Sequence, residues 1–134
     1  PGGWTWQLVN RLMKVIAVDN GPMDRRLMDS GQVEHVQADG YMYKPKRTVD
    51  WMVCDIVDKP ARSSALAAKW ITQKLCRELI INFKLPMKQR YPEVVQCLAH
   101  IQDALEAAGI RAEVACKQLY TAREEVTCHI RVLR

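Results

Sequence analysis

The chain has 134 residues, enough for one domain with a single buried core. Apolar residues make up 49% and charged residues 26%, an ordinary globular composition, and no apolar run approaches the ~18 residues of a membrane span. Lys and Arg number 20 against 15 Asp and Glu, so the net charge of +5 admits a polyanionic partner without requiring one.

In chain order, residues 1–3 (Pro-Gly-Gly) form a turn ahead of a short helix over Trp4–Met13. "KVIAVDN" (14–20) has a four-residue apolar core and reads as a buried strand and its turn. "PMDRRLMDSG" (22–31) predicts a helix with Pro22 at its first position and Gly31 beyond its end. "VEHVQADG" (33–40) and "WMVCDIVDKP" (51–60) are two further strands, each running into an acid. Residues 61–76 carry Leu66, Trp70 and Leu75 at helical intervals, and "ELIINFKLP" (78–86) is a buried strand stopped by Pro86. Residues 91–109 form the clearest helix, with Val94, Leu98, Ile101 and Leu105 on one stripe and Gly109 as its cap. "RAEVACKQLY" and "EEVTCHIRV" predict a hairpin joined through "TAR".

Alternation of strands and helices predicts an α/β fold, a doubly wound Rossmann-like sheet that is mostly parallel with a C-terminal antiparallel hairpin. One domain over 1–134 is expected, with no linker dividing it. An alternating fold starts on a strand, so a first strand is expected ahead of Pro1 and missing from this sequence. The five cysteines are odd in number and lack a C-x-x-C pair, which predicts reduced thiols. His35, His100 and His129 have no metal-ligand spacing, so no metal is expected.

Doubly wound sheets bind ligands beyond the carboxyl ends of their strands. Asp19, Asp39 and Asp55 each follow an apolar run and Lys84 ends another, so these four groups are expected on one rim. A lone acid in such a place usually caps a turn or helix; three acids and a lysine together point to a site. The glycine turn lets a ligand approach the backbone but is not G-x-G-x-x-G. Asp19 lies sixteen residues past Gly3, near the interval for an acid that accepts ribose hydroxyls. Those features suit a nucleoside cofactor with few or no phosphates, such as S-adenosyl-L-methionine (SAM).

"PGGWTWQLV", "VDNGPM", "LMDSGQV", "WMVCDIVDKPA", "NFKLPMKQRY" and "QLYTAREEVTCHIR" together resemble the FtsJ-type ribose 2′-O-methyltransferases, almost end to end. Within that family the chain is most similar to the bacterial enzymes that methylate a cytidine of 23S ribosomal RNA. The family motif opens with Asp-Leu-Gly-Ala ahead of Pro-Gly-Gly-Trp, and only its second half is present, at residues 1–4. The resemblance implies SAM against Pro1, Gly2 and Gly3, with Asp19 near the ribose, Asp39 near the adenine, and Asp55 also lining the cofactor. The last three members of the family's Lys-Asp-Lys-Glu catalytic set map onto Asp55, Lys84 and Glu125. The first lysine and an accessory RNA-binding region lie upstream of the glycine motif in the family and are absent here.

A ribose 2′-hydroxyl is a poor nucleophile near neutral pH, so a proton acceptor is needed; Lys84 is expected to fill that role if its pKa is depressed. Asp55 and Glu125 are then orienting groups, whereas Glu124, on the opposite strand face, is expected in solvent. Lys84, Lys88 and Arg90, with Lys44, Lys46 and Arg47, are candidates for an RNA-phosphate track. Trp51 and Trp70 are expected in the core. The resemblance implies 23S ribosomal RNA or its precursor as partner, no membrane, a monomer and a cytoplasmic location. Two rival readings are a non-catalytic RNA-binding domain retaining the fold and a nucleotide-dependent oxidoreductase. The second is disfavoured because a lysine and glutamate at later strand ends have no role in hydride transfer.

Overall fold

The computed structural model describes residues 3–118 and 124–133. Pro1, Gly2 and the "TAR" connection lie outside the described residues. The elements follow the predicted order, and they divide between two compact units, Pro1–Lys44 and Pro45–Arg134.

The first unit contains α1 (Gly3–Asn10), β1 (Val15–Val18), α2 (Arg25–Asp29) and β2 (Val33–Val36). β1 and β2 pair in parallel, Val15 beside Val33 and Val18 beside Val36. Val9, Ala17, Leu27 and Val33 form the core, with Val15 and Met23 packed against it. α1 stops three residues short of Met13 because Leu12 turns to φ 60°, a left-handed conformation that a right-handed helix cannot continue. α2 is likewise shorter than expected. Asp24 caps it by accepting the Arg26 N–H on Oδ1 at 2.8 Å, so Pro22 stands outside the helix.

The second unit contains β3 (Val49–Cys54), α3 (Pro60–Thr72), β4 (Cys76–Lys84), α4 (Arg90–Ala108), β5 (Ala112–Lys117) and β6 (Glu125–Val132). Its sheet runs β3-β4-β6-β5. β3 and β4 are parallel, as the intervening α3 crossover demands, and the β5/β6 hairpin returns antiparallel with β6 against β4. α3 begins with Pro60 at its first turn, where the missing N–H costs nothing, and Lys74 at φ 56° ends it before the expected Leu75. α4 closes on Gly109 at φ 67°, whose N–H bonds the Glu106 and Leu105 carbonyls.

Strand alternation divides the second unit's sheet into two faces. Leu79, Ile81 and Phe83 of β4, with Cys128 and Ile130 of β6, are completely buried on one face. α3 packs on β4 and on α4, and Trp70, Ile71, Cys97, Ile101 and Leu105 complete this core. Trp70 is buried as expected, but Trp51 is not. It is 41% exposed and stacks on His129, centroids 5.7 Å apart, because position 51 falls on the opposite face from Met52 and Cys54. All five cysteines are free thiols. Truncation of Phe83 to alanine should lower the unfolding free energy by roughly 3–5 kcal/mol, the range for an aromatic removed from a close-packed core. Urea denaturation measures it, and a loss below ~1 kcal/mol would contradict the assignment of Phe83 to the core.

Candidate active site

In the first unit three of the predicted cofactor residues are described, two of them just past the parallel strands. Gly3 opens α1, Asp19 directly follows β1, and Asp39 lies three residues past β2. Each acid folds the chain locally. Asp19 Oδ1 accepts the Gly21 N–H at 2.8 Å, and Asp39 Oδ1 accepts the Tyr41 N–H at 2.9 Å, so both form the side-chain turns that aspartate favours after a strand. Among the described residues only Oδ1 is engaged in each case. A side-chain carbon added at Gly3 would meet nothing within 4 Å, so the backbone there is open to a ligand.

In the second unit the structure brings Asp55, Lys84 and Glu125 together. Lys84 is the last residue of β4, Asp55 directly follows the parallel β3, and Glu125 opens the antiparallel β6 in register with Lys84. The Lys84 Nζ donates to Asp55 Oδ1 at 2.6 Å and to Glu125 Oε2 in a shorter contact. The Leu85 N–H donates to the Glu124 carbonyl at 2.7 Å, carrying the ladder one step past β4, and Glu124 itself is exposed.

Two members of this cluster were not read from the sequence. Asn82, only 4% exposed, donates from Nδ2 to Asp55 Oδ1 at 3.0 Å and to Glu125 Oε1 at 3.3 Å. Thr127 donates its hydroxyl to Asn82 Oδ1 at 2.7 Å. The signal was present in "LIINFK", where an amide interrupts an apolar run two residues before Lys84 and so shares its face. Thr127 stands two residues past Glu125 in the same way, but its pairing with Asn82 requires the β4/β6 register.

Burial of the Lys84 ammonium opposes its charge, but the hydrogen bonds to Asp55 and Glu125, and the two negative charges themselves, hold its pKa above the ordinary lysine value. The expected depression is therefore absent from the chain as it stands. The cluster holds a protonated lysine with a fixed direction, flanked by two carboxylates that oppose its deprotonation. Of the candidate phosphate-binding residues, Lys44, Lys46, Arg47 and Lys88 are exposed, and the Arg90 guanidinium donates to the Pro86 carbonyl at 2.9 Å. Among the described residues no three His, Cys, Asp or Glu side chains gather as metal ligands, and no helix is long and apolar enough to cross a membrane.

No family model matches the chain. It is 64% identical over 133 residues to the ribosomal RNA large subunit methyltransferase M of Stutzerimonas stutzeri, covering 99% of this chain and 38% of that protein. The protein of the same name from Azotobacter vinelandii is 65% identical over 130 residues, covering 97% and 37%. The chain thus spans less than two fifths of these relatives' length. Among solved structures, a Clostridium thermocellum protein assigned as an rRNA methylase superposes with a TM-score of 0.70 at 11% identity, covering 99% of this chain and 82% of that one. The Bradyrhizobium japonicum N-methyltransferase NodS, in complex with S-adenosyl-L-homocysteine, superposes with a TM-score of 0.60 at 13% identity, covering 99% and 74%. The chain has the α/β methyltransferase fold and is homologous, over nearly its whole length, to ribosomal RNA large subunit methyltransferase M.

Proposed function

We propose that the chain carries the methyl-transfer machinery of a cytoplasmic, monomeric, SAM-dependent ribosomal RNA methyltransferase, acting as a single domain on a ribose 2′-hydroxyl, a cytidine of 23S ribosomal RNA. The observation that carries this reading is Lys84, held between Asp55 and Glu125 at the ends of β4 and β6. The homologous proteins' name supplies ribosomal RNA as the substrate class.

The residues present suit SAM. Among the described residues Asp19 and Asp39 each engage one carboxylate oxygen, which leaves the other as an acceptor for the hydroxyl and amine donors of an adenosine. Gly3 offers open backbone, Pro1 and Gly2 precede it, and Asp55 supplies negative charge suited to a sulfonium. When bound, SAM supplies an electrophilic methyl group. Lys84 then handles the proton of the 2′-hydroxyl. Since its pKa is raised, it must first release a proton to solvent before its nitrogen can accept one. Asp55 and Glu125 fix the direction of Nζ, and Lys44, Lys46, Arg47, Lys88 and Arg90 offer positive charge to phosphates. The raised pKa favours a second reading of Lys84, as a standing cation that stabilises charge developing on the oxygen.

The cofactor assignment is tested by calorimetry on the chain, and on a chimera in which it replaces the corresponding region of the Stutzerimonas stutzeri relative. The chimera should bind SAM more tightly than the chain alone, and Asp39→Ala in it should weaken binding about tenfold, the loss of one adenine hydrogen bond. Unchanged affinity in that variant would remove Asp39 from the site.

Lys84→Arg distinguishes the two roles of the lysine, because guanidinium keeps the charge yet stays protonated above pH ~12. If Lys84 accepts the proton, single-turnover methylation of a 23S transcript by the chimera should fall at least ~100-fold, with SAM and RNA binding retained. The parent rate should also rise with pH through the alkaline range, as the lysine with its raised pKa deprotonates, and the variant's profile should be flat. Near-normal turnover by Lys84→Arg would leave Lys84 as a cation only. No methylation by the parent chimera at any pH would favour a binding domain without activity.

A further inference from the structure

Asn82 sits in β4 between Ile81 and Phe83, both completely buried, and is itself only 4% exposed. A carboxamide in such a place must satisfy its donors and its acceptor within the protein. It does so across three strands. Its Nδ2 spans Asp55 Oδ1 and Glu125 Oε1, at 3.0 and 3.3 Å, and its Oδ1 accepts the Thr127 hydroxyl at 2.7 Å. Glu125 is therefore gripped at both oxygens, Oε1 by Asn82 and Oε2 by Lys84, which fixes the plane of its carboxylate. Asp55 Oδ1 is shared by the same two donors.

The amide has one workable orientation. Turned over, its oxygen would face both carboxylates, and like partial charges would meet at hydrogen-bond distance. The Thr127 hydroxyl, paired with Asn82 by the β4/β6 register, rewards the correct orientation from the other side. Asp55 is 45% exposed at its side chain and stands beyond the end of β3, so without the amide it is held by Lys84 alone, in competition with water. Among the described residues the charged groups facing Lys84 are Asp55 from the end of β3 and Glu125 from β6, and the Cys54 thiol of β3 senses its charge.

We propose that Asn82, locked by Thr127, is a positioning residue that holds both carboxylates on Lys84 and so aims the Nζ at the reacting oxygen. The proposal rests on the reading of Lys84 as the group that handles the proton. Removing the amide leaves Asp55 and Glu125 held by Lys84 alone, so both gain freedom to swing toward water. Lys84 then keeps the hydrogen bonds that sustain its charge for less of the time, while its partial burial remains, so its titration midpoint moves down. The fixed direction of Nζ is lost as well.

The test follows the Lys84 Nζ by NMR in the chain labelled with 15N-lysine, its signal identified by its absence from Lys84→Arg. Asn82→Ala should shift the Lys84 midpoint to lower pH and, in the chimera described above, lower kcat on the 23S transcript about tenfold or more, with SAM and RNA dissociation constants unchanged. Thr127→Val should do the same to a smaller extent, and Thr127→Ser, which keeps the hydroxyl, should remain within about twofold of the parent. A midpoint that stays at the parent value in Asn82→Ala overturns the proposal, even if kcat falls, since packing alone would then explain the loss. If Asn82→Ala does not fold, Thr127→Val against Thr127→Ser decides on the same two readouts. A parent chimera that fails to methylate refutes the functional reading instead, and the lysine titration still decides what Asn82 does.

Discussion

Lys84 carries a positive charge at the last pairing of β4 with β6, and the second unit's polar chemistry is arranged to hold that charge in place. Its partners come from positions 29 and 41 residues away in sequence, brought close by one parallel and one antiparallel pairing. A parallel neighbour presents its carboxyl end beside Lys84, which supplies Asp55. An antiparallel neighbour presents its amino end, which supplies Glu125. No arrangement of parallel strands alone would bring the first residue of one strand opposite the last of another, so the hairpin at the end of the chain is what completes the cluster.

The same alternation that builds the site builds the core. Along β4, Leu79, Ile81 and Phe83 point to the helix-covered face and pack at full burial. Glu78, Ile80, Asn82 and Lys84 take the other face, opposite Arg131, His129, Thr127 and Glu125 in turn. A one-residue slip of β4 against its neighbours would put apolar side chains on the polar face and strand Asn82 in the core. The cost of misplacing Phe83 therefore protects the geometry of Lys84, although the two side chains never share a face. Further down the polar face, Glu78 meets His129 at 2.9 Å and His129 stacks on Trp51, so polar pairing continues well beyond the Lys84 end.

Burial and charge act in opposite directions on Lys84, and charge wins. This outcome follows from having two carboxylates for one ammonium in a site still reached by water. It also explains why an isolated cluster of this kind is suited to holding a proton more than to taking one. A second cation nearby would shift the balance the other way, because it would repel the ammonium form while leaving the carboxylates better satisfied.

Much of this was legible in local pattern. Apolar runs bounded by turn residues and apolar spacing at helical intervals located the described strands and helices in order, and acids after apolar runs marked Asp19, Asp39 and Asp55, because these signals depend only on near neighbours. The errors were local as well. Leu12 and Lys74 adopt positive φ and end helices early, and Asp24 displaces Pro22 from the start of α2 by offering a better cap. What spacing could not supply was pairing. The role of Asn82 depends on facing Thr127 across β4/β6 and on reaching Asp55 beside β3, and Trp51 leaves the core because of the face its strand position takes. Register is set by contacts between segments far apart in the chain, so residue order alone determined the elements and the acids at their ends, while the tertiary structure decided which groups meet and how Lys84 titrates.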